Sequence, residues 1–213
     1  MKDNIFIIHP KFNFFVLSIG VGLGILITIL TILGYVGLLN STIIKIILYT
    51  LSIFFLYDLY ILKNINLKIS NFFFDVYTIP VLACLVIISF LYLITSLTPT
   101  LDGDSLNGYL SLAREYSENN KMVPNDFYFG ATFPQNGQLL STIGYLLQGQ
   151  ITAQLIVSWL MGVLCCFTII IIGRQFFDLK SGLIASLIWY GTYAVAFINQ
   201  SAKVDLAWTH NNK

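Results

Sequence analysis

The chain is poor in charge. Ten acids and eleven bases are spread over 213 residues, so charged side chains make up 10% of the total, far below the ~25% of an ordinary soluble domain. A water-soluble surface needs a charged skin that this composition does not supply. The net charge of +1 offers no basic excess for neutralising phosphates, which excludes a nucleic-acid partner. Histidine is scarce too: His9 and His210 stand near the two ends, without partners at ligand spacing. The three cysteines, Cys84, Cys165 and Cys166, lie inside apolar runs. Neither their spacing nor their neighbours suit a metal site, and they read as small apolar filler. Also missing are a Walker loop, a dinucleotide-binding fingerprint and a nucleophile elbow.

Apolar sequence is what remains: 57% of the residues are hydrophobic and the mean hydropathy is +0.80. About 20 mostly apolar residues cross a ~30 Å hydrocarbon core as a helix. Runs at 14–39, 43–62, 76–97, 151–172 and 181–202 meet that length, and they lack the alternation of a membrane barrel. The expected fold is therefore all-α and integral to the membrane, with about five transmembrane helices. The long charge-free stretch 137–173 is divided near Gly149 into an amphipathic piece at 135–148 and the fourth span. The first run is too long for a cleaved signal peptide, and no small-residue cleavage site follows it. Five alternating spans gather Lys2, Lys11, Lys63, Lys68, Arg174 and Lys180 on one face. By the positive-inside rule that face, with the N-terminus, is cytoplasmic in a multi-pass cell-membrane protein.

The connection at 98–134 then lies outside. It is long for a turn and holds half of the ten acids. Leu106, Leu110, Leu112 and Ala113 recur at helical spacing, which predicts a helix from about residue 105 to 118, capped by Asp104 or Ser105. With the aromatic Phe127-Tyr128-Phe129-Gly130, the pattern suits interfacial helices on the outer membrane surface. Asp102-Gly103-Asp104 is the sharpest local feature. Carboxylates two residues apart at a helix start bind a divalent cation or divide acid and base duties; the plainer reading is a turn and an N-cap. Lys203-Val204-Asp205 follows the fifth span on the same face, as a phosphate contact and a second acid or as a snorkelling pair. Arg114 is a bidentate phosphate ligand or part of a solvated helix face. Asn40-Ser41-Thr42 and Asn199-Gln200-Ser201 match the N-glycosylation pattern, though each hugs a span end and such short matches arise by chance.

The order of these pieces resembles a known family. A span is followed by Leu101-Asp102-Gly103-Asp104-Ser105-Leu106-Asn107-Gly108-Tyr109-Leu110-Ser111-Leu112-Ala113-Arg114-Glu115-Tyr116. Then come Phe133-Pro134, an amphipathic helix, a span, Gly173-Arg174-Gln175-Phe176-Phe177, another span, and Lys203-Val204-Asp205-Leu206-Ala207. This resembles the polytopic GT-C glycosyltransferases, in particular the protein mannosyltransferase and aminoarabinose transferase group of family 39. The resemblance covers residues 76–208, read as the N-terminal part of the glycosyltransferase core. Residues 1–70 are an extension with two apparent spans, and 209–213 a tail at a truncation, so that the chain is expected to be an N-terminal fragment. The resemblance implies transfer of a sugar from a polyprenyl-phosphate donor to an envelope acceptor on the extracytoplasmic face. It implies Asp104 as the acidic residue of the loop, acting as general base on the acceptor hydroxyl or organising it through a metal, with Asp102 as its neighbouring option and Asp205 as the later acidic residue. Arg114, Lys203 and Tyr109 would bind substrate, and a divalent cation, if one takes part, would sit on Asp102 and Asp104. The alternatives are a transporter fragment, which would keep polar groups near the midplane and show broken helices, and a non-enzymatic membrane scaffold.

Overall fold

The computed structural model describes residues 10–63, 78–123, 135–201 and 203, with side chains from residue 18 in the first helix and to residue 57 in the second. The regular structure of the described residues is all helical, without a strand.

Helix α1 (Pro10–Val36) ends where Gly37 takes φ +79°, a conformation that glycine adopts at no steric cost. Leu38 N then donates to Leu33 O at 2.8 Å, closing the helix end. Asn40 starts α2 (Ser41–Lys63) by accepting the Ile43 amide on its Oδ1 at 2.9 Å. The turn between them is tied to a distant segment: Leu39 N donates to Asn120 O at 2.9 Å, and Met122 N to Gly34 O at 3.0 Å. Helix α3 (Thr78–Ser96) stops short of Pro99, as proline demands of the residues before it.

A helix follows in the connection, at the position predicted. A π-helical turn at Ser105–Tyr109 runs into α4 (Leu110–Asn119). Its apolar side, Leu110, Leu112, Ala113 and Tyr116, is buried and packs on α5 (Asn136–Leu147). The cap differs from expectation. Neither Asp104 nor Ser105 caps; Asp102 does, accepting the Ser105 amide at 3.0 Å. The Phe127–Gly130 stretch lies outside the described residues.

The break near Gly149 is real: that glycine has φ +101° and separates α5 from α6 (Gln150–Gln154). Helix α5 falls within the expected amphipathic piece, but neighbouring helices cover most of it. Gly137 through Gly144 are buried without interruption, and at 1.5 Å per residue the 12-residue helix spans only about 18 Å. Its glycines, serine and threonine let neighbours approach closely; a Cβ on Gly144 would collide with the Ala153 backbone. Helix α6 continues through a π-helical turn (Leu155–Leu160) into α7 (Met161–Phe176), and together they form a 27-residue apolar rod. Asp178 caps α8 (Leu179–Tyr190), its Oδ1 accepting the Ser181 amide at 2.6 Å. Helices α7 and α8 pack at Gly173 and Gly182, where a Cβ on either would enter the other helix's backbone. After a break at Gly191 and Thr192 the chain resumes as α9 (Tyr193–Gln200), bent 61° from α8.

Among the described residues, three helical stretches are long and apolar enough to cross a membrane: Ser18–Val36, Thr78–Ser96 and Gln150–Phe176. The bent pair α8–α9 makes a fourth if counted as one. The sequence reading expects five spans, and the described residues account for three or four of them. The fifth is bent at its break, and within α2 the apolar stretch Ser41–Tyr57 is a shorter one. Exposed apolar side chains such as Val86, Ile87 and Phe90 on α3 and Ile184 and Ile188 on α8 would be costly in water and are at home in lipid.

Candidate functional site

Three chain segments end at one place. Helix α3 ends at Ser96 and a short loop brings Asp102 to the start of the π turn. The other contributor, 99 residues after Asp104 and just beyond the C-terminal end of α9, is Lys203. Its Nζ lies 3.2 Å from Asp104 Oδ2 and 3.8 Å from Asp102 Oδ2. The ammonium also stands over the Phe197 ring, 5.3 Å from the centroid, a favourable cation–π position.

The two carboxylates differ in surroundings. Asp102 is 22% exposed, and its Oδ2 accepts from both the Ser105 hydroxyl, at 2.7 Å, and the Ser105 amide. These bonds, the hydroxyl's first, hold its carboxyl below the usual carboxylate range; Lys203 adds to the effect and partial burial opposes it. Asp104 is 78% exposed, while Lys203 is only 18% exposed. Asp102 therefore anchors the helix start and the lysine, and Asp104 presents the open carboxylate.

The remaining candidates fall elsewhere. Arg114 pairs with Glu118 at 2.6 Å, four residues along an exposed helix face, and that hydrogen bond raises its pKa. Its guanidinium is thus committed to the solvated face. Tyr109 sits half-buried in the π turn. Asp205 lies outside the described residues. A divalent cation does not fit. One Asp102 oxygen is taken by Ser105, an ammonium already offsets one of the pair's two negative charges, and a hard cation needs about six oxygen ligands. Among the described residues no group of three or more His, Cys, Asp or Glu side chains is placed to hold a metal. Asn199 is fully buried, so its glycosylation pattern is a chance match.

Protein-family models, curated proteins and solved structures bear on the chain only by their silence. None of them matches. The site therefore stands on its own chemistry. Sequence reading missed two of its members. In the sequence Ser105 reads as a cap and not as the holder of Asp102, and Phe197 as one apolar residue among many. A third feature, the buried amides of Gln154 and Asn199, shows in the sequence only as polar residues inside apolar runs.

Proposed function

We propose that this chain is a membrane glycosyltransferase of the GT-C type, moving a sugar from a polyprenyl-phosphate donor to an envelope acceptor at the outer membrane surface. One observation carries the reading: Lys203 and Asp104 meet across 99 residues at the ends of apolar helices, pairing a cation for a phosphate with an open carboxylate for a hydroxyl. The acceptor oxygen attacks the anomeric carbon of the donor sugar. The bond from that carbon to the phosphate oxygen breaks, and its electron pair leaves with the lipid phosphate. The acceptor proton passes to Asp104. The Lys203 ammonium bears the charge that gathers on the departing phosphate. Asp102, fixed by Ser105, positions Lys203.

The topology belongs to the same proposal: five crossings, an N-terminus in the cytoplasm and the site outside. It is supported by the α1–α2 turn bonding to Asn120 and Met122, which puts that turn beside the end of the outer-loop helix. It is supported too by Lys203 reaching Asp102 and Asp104.

The test uses membranes carrying the full chain, supplied with radiolabelled polyprenyl-phosphate-linked hexoses and aminoarabinose. Asp104→Asn should cut sugar release from the lipid by about 10²- to 10⁴-fold, the usual worth of a general base, with insertion unchanged. Full activity in Asp104→Asn removes that residue from the mechanism; loss in Asp102→Asn alone moves the base two residues upstream. A transporter reading draws on the 61° break between α8 and α9, since broken helices line transport sites. Uptake of a polar solute by proteoliposomes, with no sugar release from any donor, would favour it.

A further inference from the structure

Inside the bundle, three polar side chains lack satisfaction. Gln154, Ser158 and Asn199 are all 0% exposed. The Gln154 Oε1, the Ser158 Oγ and both amide atoms of Asn199 complete no hydrogen bond, although the Tyr190 hydroxyl lies beside Asn199. They face one seam. The Gln154 Nε2 donates to Gln200 O at 3.4 Å, and a Cβ on Gly162 would sit 3.0 Å from Asn199 Nδ2. Ser158 stands four residues from Gln154 and four from Gly162, in the π-helical turn that packs on α9. The seam continues outward. Ser96 Oγ donates to Asn199 O at 3.4 Å, Ser201 is buried, and Lys203 follows two residues later.

Each unpaired buried polar atom costs about 1–3 kcal/mol. Four of them on facing helices mark a place that gains by receiving a partner. The set has acceptors and donors together and carries no charge, which suits a group that both donates and accepts. We infer that Gln154, Ser158 and Asn199 form an uncharged subsite for hydroxyl groups, set into the bundle beneath the Asp104–Lys203 pair. The hydroxyls come either from water entering along the seam or from the ring of a lipid-linked sugar. Only the second source rests on the proposed transfer reaction.

Cysteine accessibility tests this. In the full chain with Cys84, Cys165 and Cys166 changed to alanine, Ser158→Cys is reconstituted in liposomes and treated with a charged, membrane-impermeant methanethiosulfonate. Thiol modification needs water and a thiolate, so Ser158→Cys should react at least about tenfold faster than Val86→Cys on the lipid-facing side of α3. Gln154→Cys serves as a second probe should Ser158→Cys misassemble. Slowing by a polyprenyl-phosphate-linked hexose identifies the sugar as a source; modification without slowing identifies water alone. If both cysteines are as inert as Val86→Cys, the subsite is overturned, while the Asp104→Asn activity test stands unaffected.

Discussion

Gly182 gives the sharpest structural prediction, because the obstacle to any larger residue is backbone. An alanine methyl there would lie 2.5 Å from Ile170 O and 3.2 Å from Arg174 N. Ordinary contact begins at 3.4 Å, so α7 and α8 must separate by about 0.9 Å (3.4 − 2.5). Neither atom is the end of a flexible side chain, so the crossing itself must move. Overpacking of this kind costs about 1–3 kcal/mol, and we place Gly182→Ala at the upper end. At roughly 2–4 °C per kcal/mol for a chain of this size, Tm falls by about 4–12 °C. The shift would be read by thermal unfolding in detergent, followed by near-ultraviolet circular dichroism. Gly22→Ala is the control: nothing lies within 4 Å of its Cβ position, and alanine is the better helix former by up to ~1 kcal/mol. The same crossing carries α9 and Lys203 to the candidate site, so Gly182→Ala should also weaken donor use. Equal Tm values for Gly182→Ala and Gly22→Ala would refute the packing argument.

Further outcomes follow from single contacts. Tyr92→Phe removes the hydroxyl that donates to Tyr190 O at 2.9 Å, next to the α8–α9 break; interhelical bonds of this kind are worth about 0.6 and at most about 1.7 kcal/mol, so Tm drops by a few degrees, and an unchanged Tm counts against the contact. Asp102 has a lowered pKa in the fold, so its stabilisation is present above the ordinary carboxylate value of ~3.9 and is lost as pH falls through the lower folded value. The Tm loss between pH 7 and pH 3 should therefore be smaller in Asp102→Asn than in the wild type, and equal losses contradict the Ser105 clamp. Arg114→Ala breaks the exposed Glu118 pair and should leave both Tm and sugar transfer unchanged; a large loss of transfer would return Arg114 to the site.

Much of the helical plan was legible because it rests on local chemistry. The apolar runs, the Gly149 break and the loop helix with Leu110, Leu112 and Ala113 on one side follow from length, glycine and periodicity. What escaped depends on partners distant in sequence. Asp102 was not foreseen as the cap, because Asp102, Asp104 and Ser105 offer competing capping oxygens within four residues and only the folded loop selects among them. The buried character of α5 escaped because Gln, Ser and Thr read as a polar face until other helices cover them. Gly191 gave no warning of the bend, since a lone glycine in an apolar run is tolerated within a helix. At the candidate site, topology already put Asp102, Asp104 and Lys203 on one face. That the lysine contacts both acids, and that Arg114 turns to Glu118 instead, required the packing of α3 against α9.

Charge exchange tests the central claim most directly, because it separates holding the fold together from performing the reaction. The double variant Asp104→Lys with Lys203→Asp restores an ion pair across the same 3.2 Å contact but removes the open carboxylate and its accompanying cation from their working positions. The measurement is the rate of sugar release from a radiolabelled polyprenyl-phosphate donor by that variant in liposomes, beside the wild type and both single variants. The account predicts that transfer is still lost, with thermal stability somewhat below wild type because Lys203→Asp sets a carboxylate beside Asp102 and gives up the Phe197 contact. Recovery of wild-type transfer in the swapped chain would show that the pair serves structure alone and would contradict the catalytic role assigned to Asp104.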